Sequence, residues 1–267
     1  MTLSIMSWNI NSVRLRIEQV ASVLETYQPD LVCLQEIKCQ AHEFPHDAFI
    51  AAGYPHIHVT GQKGWHGVAL VSKTPFETLD SPPYCRRGEA RAQAIYWNGF
   101  ELWNLYIPAG GDVPDREAND KFDHKLEFYE RMSENLSTRK ADAPLIILGD
   151  LNIAPGEYDV WSHKQMLKTV SHTPPELETF ARFVESGQLF DPFRAQFPNP
   201  QRLFSWWSYR AADFRASNRG LRLDHILLNP ALLAKIKGEV KAQIFDEVRE
   251  REKPSDHAPI MVSFDCS

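Results

Sequence analysis

Leu145-Ile146-Ile147-Leu148-Gly149-Asp150-Leu151-Asn152 is the stretch on which the reading of this chain turns. Four apolar residues without alternation predict a strand buried on both faces, entered from Pro144. Gly149 then ends the apolar run and, with it, the buried strand. Asp150 and Asn152 follow at i and i+2, and side chains two apart in an extended segment point the same way. They are therefore expected to project together from the carboxyl end of the strand. The alternative is a polar turn in which Asp and Asn hydrogen-bond their own backbone. The stretch by itself leaves both readings open, and the rest of the chain decides between them.

On either side the chain alternates strands and helices. Leu3 to Trp8 reads as an opening strand ending in Asn9-Ile10-Asn11. Ser12 is expected to cap a helix marked by Val13, Ile17, Val20, Leu24 and Tyr27 and stopped by Pro29. Leu31 to Leu34 is a second buried strand, running into Gln35-Glu36, and Val68 to Val71 a third. Ala92–Trp97 and Phe100–Ile107 flank Asn98-Gly99, the preferred two-residue hairpin turn. Phe122, Leu126, Tyr129, Met132 and Leu136 mark a helix before the Leu145 strand. Leu177, Phe180, Ala181 and Val184 mark another, ended by Gly187. Leu223–Leu228 and Ile260–Phe264 supply two late strands. With no linker or repeat dividing it, the chain is expected to form one domain, residues 1–267, with helices covering its sheets.

Composition narrows the class. The chain has 267 residues, 43% hydrophobic and 24% charged, with a mean hydropathy of −0.38. No apolar run approaches the ~18 residues of a membrane span, and no basic-then-apolar leader opens it, so a cytoplasmic protein that does not dock on membranes is expected. The four cysteines show no C-x-x-C spacing, which indicates neither a zinc knot nor a disulfide framework. A net charge of −6 argues against non-specific polyanion binding, but a local basic strip can still act within a Debye length. Such strips occur at Arg86-Arg87, at Lys121 and Lys125, and between Arg210 and Arg222.

The polar residues fall in a pattern. Asn9, Glu36, Tyr106, Asp150 with Asn152, Asp224, and Asp256-His257 each sit at or beside the end of an apolar segment. One such case is ordinary: Glu36 alone would read as a solvated loop acid, and Tyr106 alone as core. Together they read as one polar cluster assembled by the fold. Asn9, Glu36, Asp150 and Asp256 are oxygen donors of the kind that hold a magnesium-type ion. Pro254 and Pro259 keep the Asp256-His257 segment extended, and Asp224 is a candidate to orient the His257 ring. His225 alternates to the other face. Phe204 to Arg210 and Asn218 to Arg222 combine aromatics with cations, either as an edge strand with a solvated loop or as a nucleic-acid surface.

Five segments carry a resemblance: Trp8-Asn9-Ile10-Asn11-Ser12-Val13-Arg14, Leu34-Gln35-Glu36, Gly149-Asp150-Leu151-Asn152, Asn218-Arg219-Gly220-Leu221-Arg222-Leu223-Asp224, and Pro254-Ser255-Asp256-His257-Ala258-Pro259. Together they resemble the exonuclease III family, the abasic-site endonuclease branch of the endonuclease/exonuclease/phosphatase (DNase I-like) superfamily. The resemblance implies a four-layered α/β sandwich with two central mixed sheets flanked by helices. It also implies magnesium dependence, with manganese able to substitute. The implied reaction is cleavage of duplex DNA 5′ to abasic sites, with 3′→5′ exonuclease activity and trimming of blocked 3′ ends, by a monomer. Glu36 resembles the principal metal ligand, with Asn9, Asp256, Asp150 and Asn152 in the set around it. Asp150 would take a proton from the attacking water, Asn152 would position that water or steady the phosphorane, and Tyr106 would contact the phosphate. His257, paired with Asp224, would hydrogen-bond the scissile phosphate. Trp206, Leu221 and Leu223 match the pocket for an extruded abasic sugar, with Arg219 beside them on the substrate. Ala109 departs from the Asn or Gln usual after Tyr-x-Pro, and Asn11 replaces an aspartate of the animal enzymes. The shared catalytic motifs leave a second reading, a phosphatase or phospholipase of the same superfamily acting on phosphoinositides or lipid head groups.

Overall fold

The Leu145–Leu148 run forms a strand whose surroundings explain its lack of a polar face. In the computed structural model, which describes residues 2–211 and 213–266, Leu145–Asp150 is an inner strand of a five-stranded sheet. Ile146 and Leu148 enter a core shared with a second, six-stranded sheet, while Leu145 and Ile147 enter a core roofed by helices. Neither face meets water, so neither is polar.

Along the chain the strands are β1 (Thr2–Asn9), β2 (Leu31–Gln35), β3 (His56–Thr60), β4 (Val68–Ser72), β5 (Glu77–Leu79), β6 (Ala92–Trp97), β7 (Phe100–Tyr106), β8 (Leu145–Asp150), β9 (Trp206–Trp207), β10 (Gly220–Leu221), β11 (Asp224–Leu228), β12 (Ile236–Ile244) and β13 (Ile260–Cys266). One sheet runs β12-β13-β1-β2-β4-β3 and the other β11-β8-β7-β6-β5, while β9 and β10 form a separate ribbon. Each large sheet contains one parallel pair, β1–β2 and β7–β8. The sheets face each other across Leu3, Ile5, Leu31, Cys33 and Leu70 on one side and Ile95, Leu102, Ile146, Leu148 and Ile226 on the other. The Ile17–Tyr27 helix covers the outer face of the six-stranded sheet at Met6, Trp8, Val32 and Leu34. The Asp120–Thr138 and Pro174–Gly187 helices cover the other sheet through Phe128, Met132, Phe180 and Phe183. Helix, sheet, sheet, helix: this is the four-layered sandwich that the family resemblance implied.

Two local expectations are corrected. Gly149 does not end the strand, because β8 continues through it to Asp150. Its φ is 135°, and a Cβ there would lie 1.9 Å from Leu105 O on β7. The close approach of two backbones, not termination, is what requires glycine. Ser12 does not cap the first helix. It sits at φ 88°, donating its N–H to Glu36 O at 2.8 Å, and the helix starts at Ile17 after an intervening turn. The Asn9–Ser12 loop is thereby tied to the end of β2.

The Asn98-Gly99 hairpin forms as expected, with φ values of 48° and 84° and Trp97 opposite Phe100. β3, β5 and β12 are edge strands of mixed polarity, and the hydrophobic pattern did not reveal them. On β12 the exposed positions include Lys237, Glu239 and Lys241, charges of the kind that discourage edge pairing with another chain.

Candidate active site

The topology brings the polar strand ends to one edge. Asn9 ends β1 opposite Gln35 at the end of β2, and Tyr106 ends β7 opposite Asp150 at the end of β8. β11 runs antiparallel to β8, so its first residue, Asp224, lies directly across from Asp150. β13 runs antiparallel to β1, which places the Pro254–Pro259 segment before it at the same edge. That segment is pinned on both sides: Trp206 bridges to His257, Ala258 N donates to Ser205 O, and Trp8 Nε1 donates to His257 O.

Asn9, Glu36, Tyr106, Asp150, Asn152, Trp206, Arg219, Leu221, Leu223, Asp256 and His257 line one cleft of about 960 Å³. Asp224 is 1% exposed and lies behind it, reaching the cleft through His257. Every candidate site residue therefore belongs to a single assembly.

At its centre stands Asp150, 1% exposed. Its Oδ2 accepts from Asn9 Nδ2 at 2.8 Å and lies 3.8 Å from His257 Nε2. Burial raises the Asp150 carboxyl well above the usual carboxylate range, the facing His257 opposes this, and the charge of Asp224 adds to it. His257 Nδ1 lies 2.8 Å from Asp224 Oδ2, which also accepts from Ser205 Oγ at 2.6 Å. Burial alone would depress the His257 pKa, but the carboxylates of Asp224 and Asp150 outweigh it and favour the imidazolium. The result is a carboxylate–imidazolium–carboxylate relay with Nε2 at the cleft.

Asn152 is not simply two residues further along an extended strand. It takes φ 56° and donates its own N–H to Asp150 Oδ1 at 3.1 Å. Its Nδ2 donates to Ile107 O at 2.8 Å, which fixes the amide orientation and turns Oδ1 to other partners. The turn and the site thus coexist: the left-handed turn places the amide.

Glu36 also lies in the left-handed region, at φ 55°. Its Oε1 accepts from Tyr106 OH at 2.6 Å, and Lys38 Nζ stands 3.5 Å from Oε2. Burial and the Glu36 and Asp150 carboxylates hold the Tyr106 hydroxyl proton well above its ordinary pKa, so Tyr106 is a donor. Asp256 accepts from Trp206 Nε1 at 2.9 Å and Asn11 Nδ2 at 3.0 Å. Burial would raise its pKa, but His257 and these donors prevail and lower it. Asn11 therefore serves more than its turn, for its Oδ1 also accepts from Lys38 Nζ at 2.5 Å.

The donor set suits a hard cation. Glu36, Asp256 and Asn9 present oxygens in the cleft, and no cysteine is among its lining residues. Asp150, Asp224 and His257 also hold donor atoms within 4.8 Å of one another. There the imidazole is committed to two carboxylates.

Beside the acids, Trp206, Trp161, Leu221 and Leu223 pack with Ala154, Val160 and Met166 into an apolar wall. The Arg219 guanidinium lies 4.7 Å from the centre of the Trp161 ring, forming a cation–π contact at the rim. Sequence reasoning missed Lys38, Trp161, Ser205 and Arg91. The Arg91 guanidinium covers the Tyr106 ring at 4.7 Å and donates to Tyr106 O at 3.2 Å. Nothing in local spacing marks these residues; only the sheet edge brings them together.

A family model described as the Endonuclease/Exonuclease/phosphatase family matches residues 6–257. An exodeoxyribonuclease III of Haemophilus influenzae is 35% identical, over 97% of this chain and 98% of its own length. The solved structure of an AP endonuclease from Archaeoglobus fulgidus superposes with a TM-score of 0.89 at 29% identity, covering 98% of this chain and 99% of that one. A Neisseria 3′ phosphatase solved with a product DNA hairpin superposes with a TM-score of 0.87 at 31% identity, covering 98% and 99%. With a polar cleft at the shared edge of two sheets and this likeness along its length, the chain belongs to the endonuclease/exonuclease/phosphatase family, among its exonuclease III-type phosphodiester hydrolases.

Proposed function

We propose that this protein is a magnesium-dependent DNA repair nuclease that hydrolyses the backbone 5′ to abasic sites and trims 3′ ends of duplex DNA. The observation that carries the reading is the Asp150–His257–Asp224 relay opening beside an apolar wall of Trp206, Leu221 and Leu223. A hard divalent cation held by Glu36, with Asn9 and Asp256, would supply positive charge against the phosphate oxygens. Asp150, with its raised pKa, accepts a proton from the attacking water. Asn152 Oδ1 orients that water, since its Nδ2 is spent on Ile107 O. The His257 imidazolium and the Tyr106 hydroxyl donate to the phosphate as charge grows on it. The apolar wall receives the abasic sugar, and Arg219 meets the DNA backbone at the rim.

Residues 1–267 act in this reading as one domain and as a monomer in the cytoplasm. Among the described residues no helix is long and apolar enough to cross a membrane. A phosphoinositide or lipid head group would have less use for an apolar wall next to an arginine–tryptophan rim. A digest comparing abasic, intact and 3′-phosphorylated duplexes, with and without magnesium, tests the proposal. Incision 5′ to the abasic site that disappears without divalent metal is the expected result. Faster hydrolysis of a phosphoinositide would overturn it.

A further inference from the structure

Away from the cleft, three side chains from two segments of the chain converge with a different chemistry. Cys85 Sγ lies 3.4 Å from His124 Nε2 and 3.9 Å from Glu89 Oε2, and the three donor atoms fall within 4.8 Å of one another. At ordinary zinc bond lengths, sulfur and nitrogen or oxygen donors on a tetrahedral ion stand roughly 3.5 Å apart. The trio is already close to that spacing. Its dispersal along the chain explains why cysteine spacing gave no sign of it.

Each donor is suited to the task. His124 projects from the Asp120–Thr138 helix and is 1% exposed. Its Nε2 is the ring atom turned toward Cys85 Sγ, and burial on a helix holds the ring in that direction. Glu89 accepts from Arg91 Nε at 2.5 Å, and its other oxygen faces His66 Nε2 at 3.7 Å; an ionised carboxylate has lone pairs for a further partner. Of the nearby cations, Arg86 is paired with Asp120, Asp123 and Glu127, and Arg87 with Asp120, its other nitrogen standing 4.0 Å from Glu89 Oε1. Cys85 and Glu89 open on a cavity of about 430 Å³, which supplies an entry path and room for a water as fourth donor.

We propose that Cys85, Glu89 and His124 form a second metal site, fitted to a borderline-soft divalent cation of the zinc class and distinct from the oxygen-lined cleft. Binding replaces the Cys85 S–H bond with a sulfur–metal bond and releases one proton to solvent. The site also has a route to the cleft, since Glu89 grips Arg91, and Arg91 backs Tyr106 through the ring and carbonyl contacts described above.

The test uses chelator-stripped, dialysed protein titrated with Co2+ in excess Mg2+, which occupies oxygen sites. A near-ultraviolet sulfur-to-cobalt absorption, saturating at one equivalent and displaced by Zn2+, is expected. Cys85→Ser is expected to lose that absorption and bind Zn2+ at least tenfold more weakly while retaining magnesium-dependent turnover. Cys266→Ser, at the other partly exposed cysteine, is expected to keep the absorption. In the unmodified protein, Zn2+ is expected to slow iodoacetamide alkylation of Cys85 at least tenfold, a readout that needs no variant to fold. Absence of the absorption, its survival in Cys85→Ser, or alkylation unaffected by Zn2+ overturns the site.

Discussion

Lys125 and Glu176 form an ion pair, Nζ to Oε1 at 2.5 Å, with neither side chain exposed to solvent. The pair joins three loops around the cleft. Lys125 Nζ also donates to Asn152 O at 2.6 Å and Ala109 O at 3.3 Å, while Glu176 accepts from Ser171 N and from the Thr173 N–H and hydroxyl. Read from sequence, Lys125 was part of a basic strip; in the fold it is an internal brace.

Removing one partner leaves the other charge buried and unpaired, at a cost of about 3–5 kcal/mol. Lys125→Met is therefore expected to lower stability by that order and to reduce nuclease turnover through Asn152. Urea unfolding of Lys125→Met, Glu176→Leu and the double variant checks this. The double variant should be less destabilised than the sum of the singles, and strict additivity would show that the pair is not coupled.

The relay predicts a graded loss of activity. Asp150→Asn and His257→Ala are each expected to cost about 10²–10⁴-fold or more in turnover on abasic duplex. Asp224→Asn should retain the fold and lose activity by weakening the hold on the imidazolium. Circular dichroism melts alongside single-turnover kinetics separate chemistry from folding. Near-wild-type turnover in either Asp150→Asn or His257→Ala would contradict the assigned roles.

Gly149→Ala tests why the strand carries a glycine next to the buried Asp150. The added methyl would meet Leu105 O at 1.9 Å, so β7 and β8 would have to part. A destabilisation of several kcal/mol, roughly 3 or more, is expected from an overpacked backbone contact. Expression yield and the thermal midpoint report it. A variant as stable as the parent would mean that the strands can separate at little cost.

Acid sensitivity has a defined source at Asp159. Burial would raise its pKa, but Arg222 and Arg194 outweigh this and bring it down to about 2. A depressed folded-state pKa contributes stability above the unfolded value of about 3.9 and loses it as pH falls toward 2. The expected contribution is roughly 2–3 kcal/mol, given nearly two pKa units at ~1.4 kcal/mol each. Stability measured from pH 5 down to 2 should fall less steeply in Asp159→Asn than in the parent. Parallel slopes would remove Asp159 as the cause.

Glu36→Gln is expected to raise the magnesium concentration needed for half-maximal turnover by about tenfold or more, since it replaces a charged oxygen with a neutral one. A magnesium titration of both proteins measures it. An unchanged requirement would place the metal elsewhere in the cleft.

The elements with a strong pattern were legible from the start: the non-alternating β8, the Asn98-Gly99 hairpin and the helices over Phe122–Leu136 and Leu177–Val184. Their signals are local, arising from apolar periodicity and from the left-handed geometry of one turn. The edge strands β3, β5 and β12 were not legible because half-exposed polar strands resemble loops. Within the site, Asn9, Glu36, Asp150 and Asp256-His257 were found because each ends an apolar run or lies in a recognisable motif. Ser205, Lys38, Arg91 and Trp161 were not, because their roles depend on partners 15 to 58 residues away along the chain.

By itself, the sequence determined which residue types stand at strand ends and which faces must be dry, since both follow from chemistry along the chain. Tertiary structure decided the rest. Two parallel pairs and two antiparallel neighbours bring those ends to one edge, and Gly149 serves the spacing between β7 and β8 rather than ending a strand. The raised pKa of Asp150 belongs to no residue alone, because it comes from desolvation and from charges that meet only once both sheets are packed.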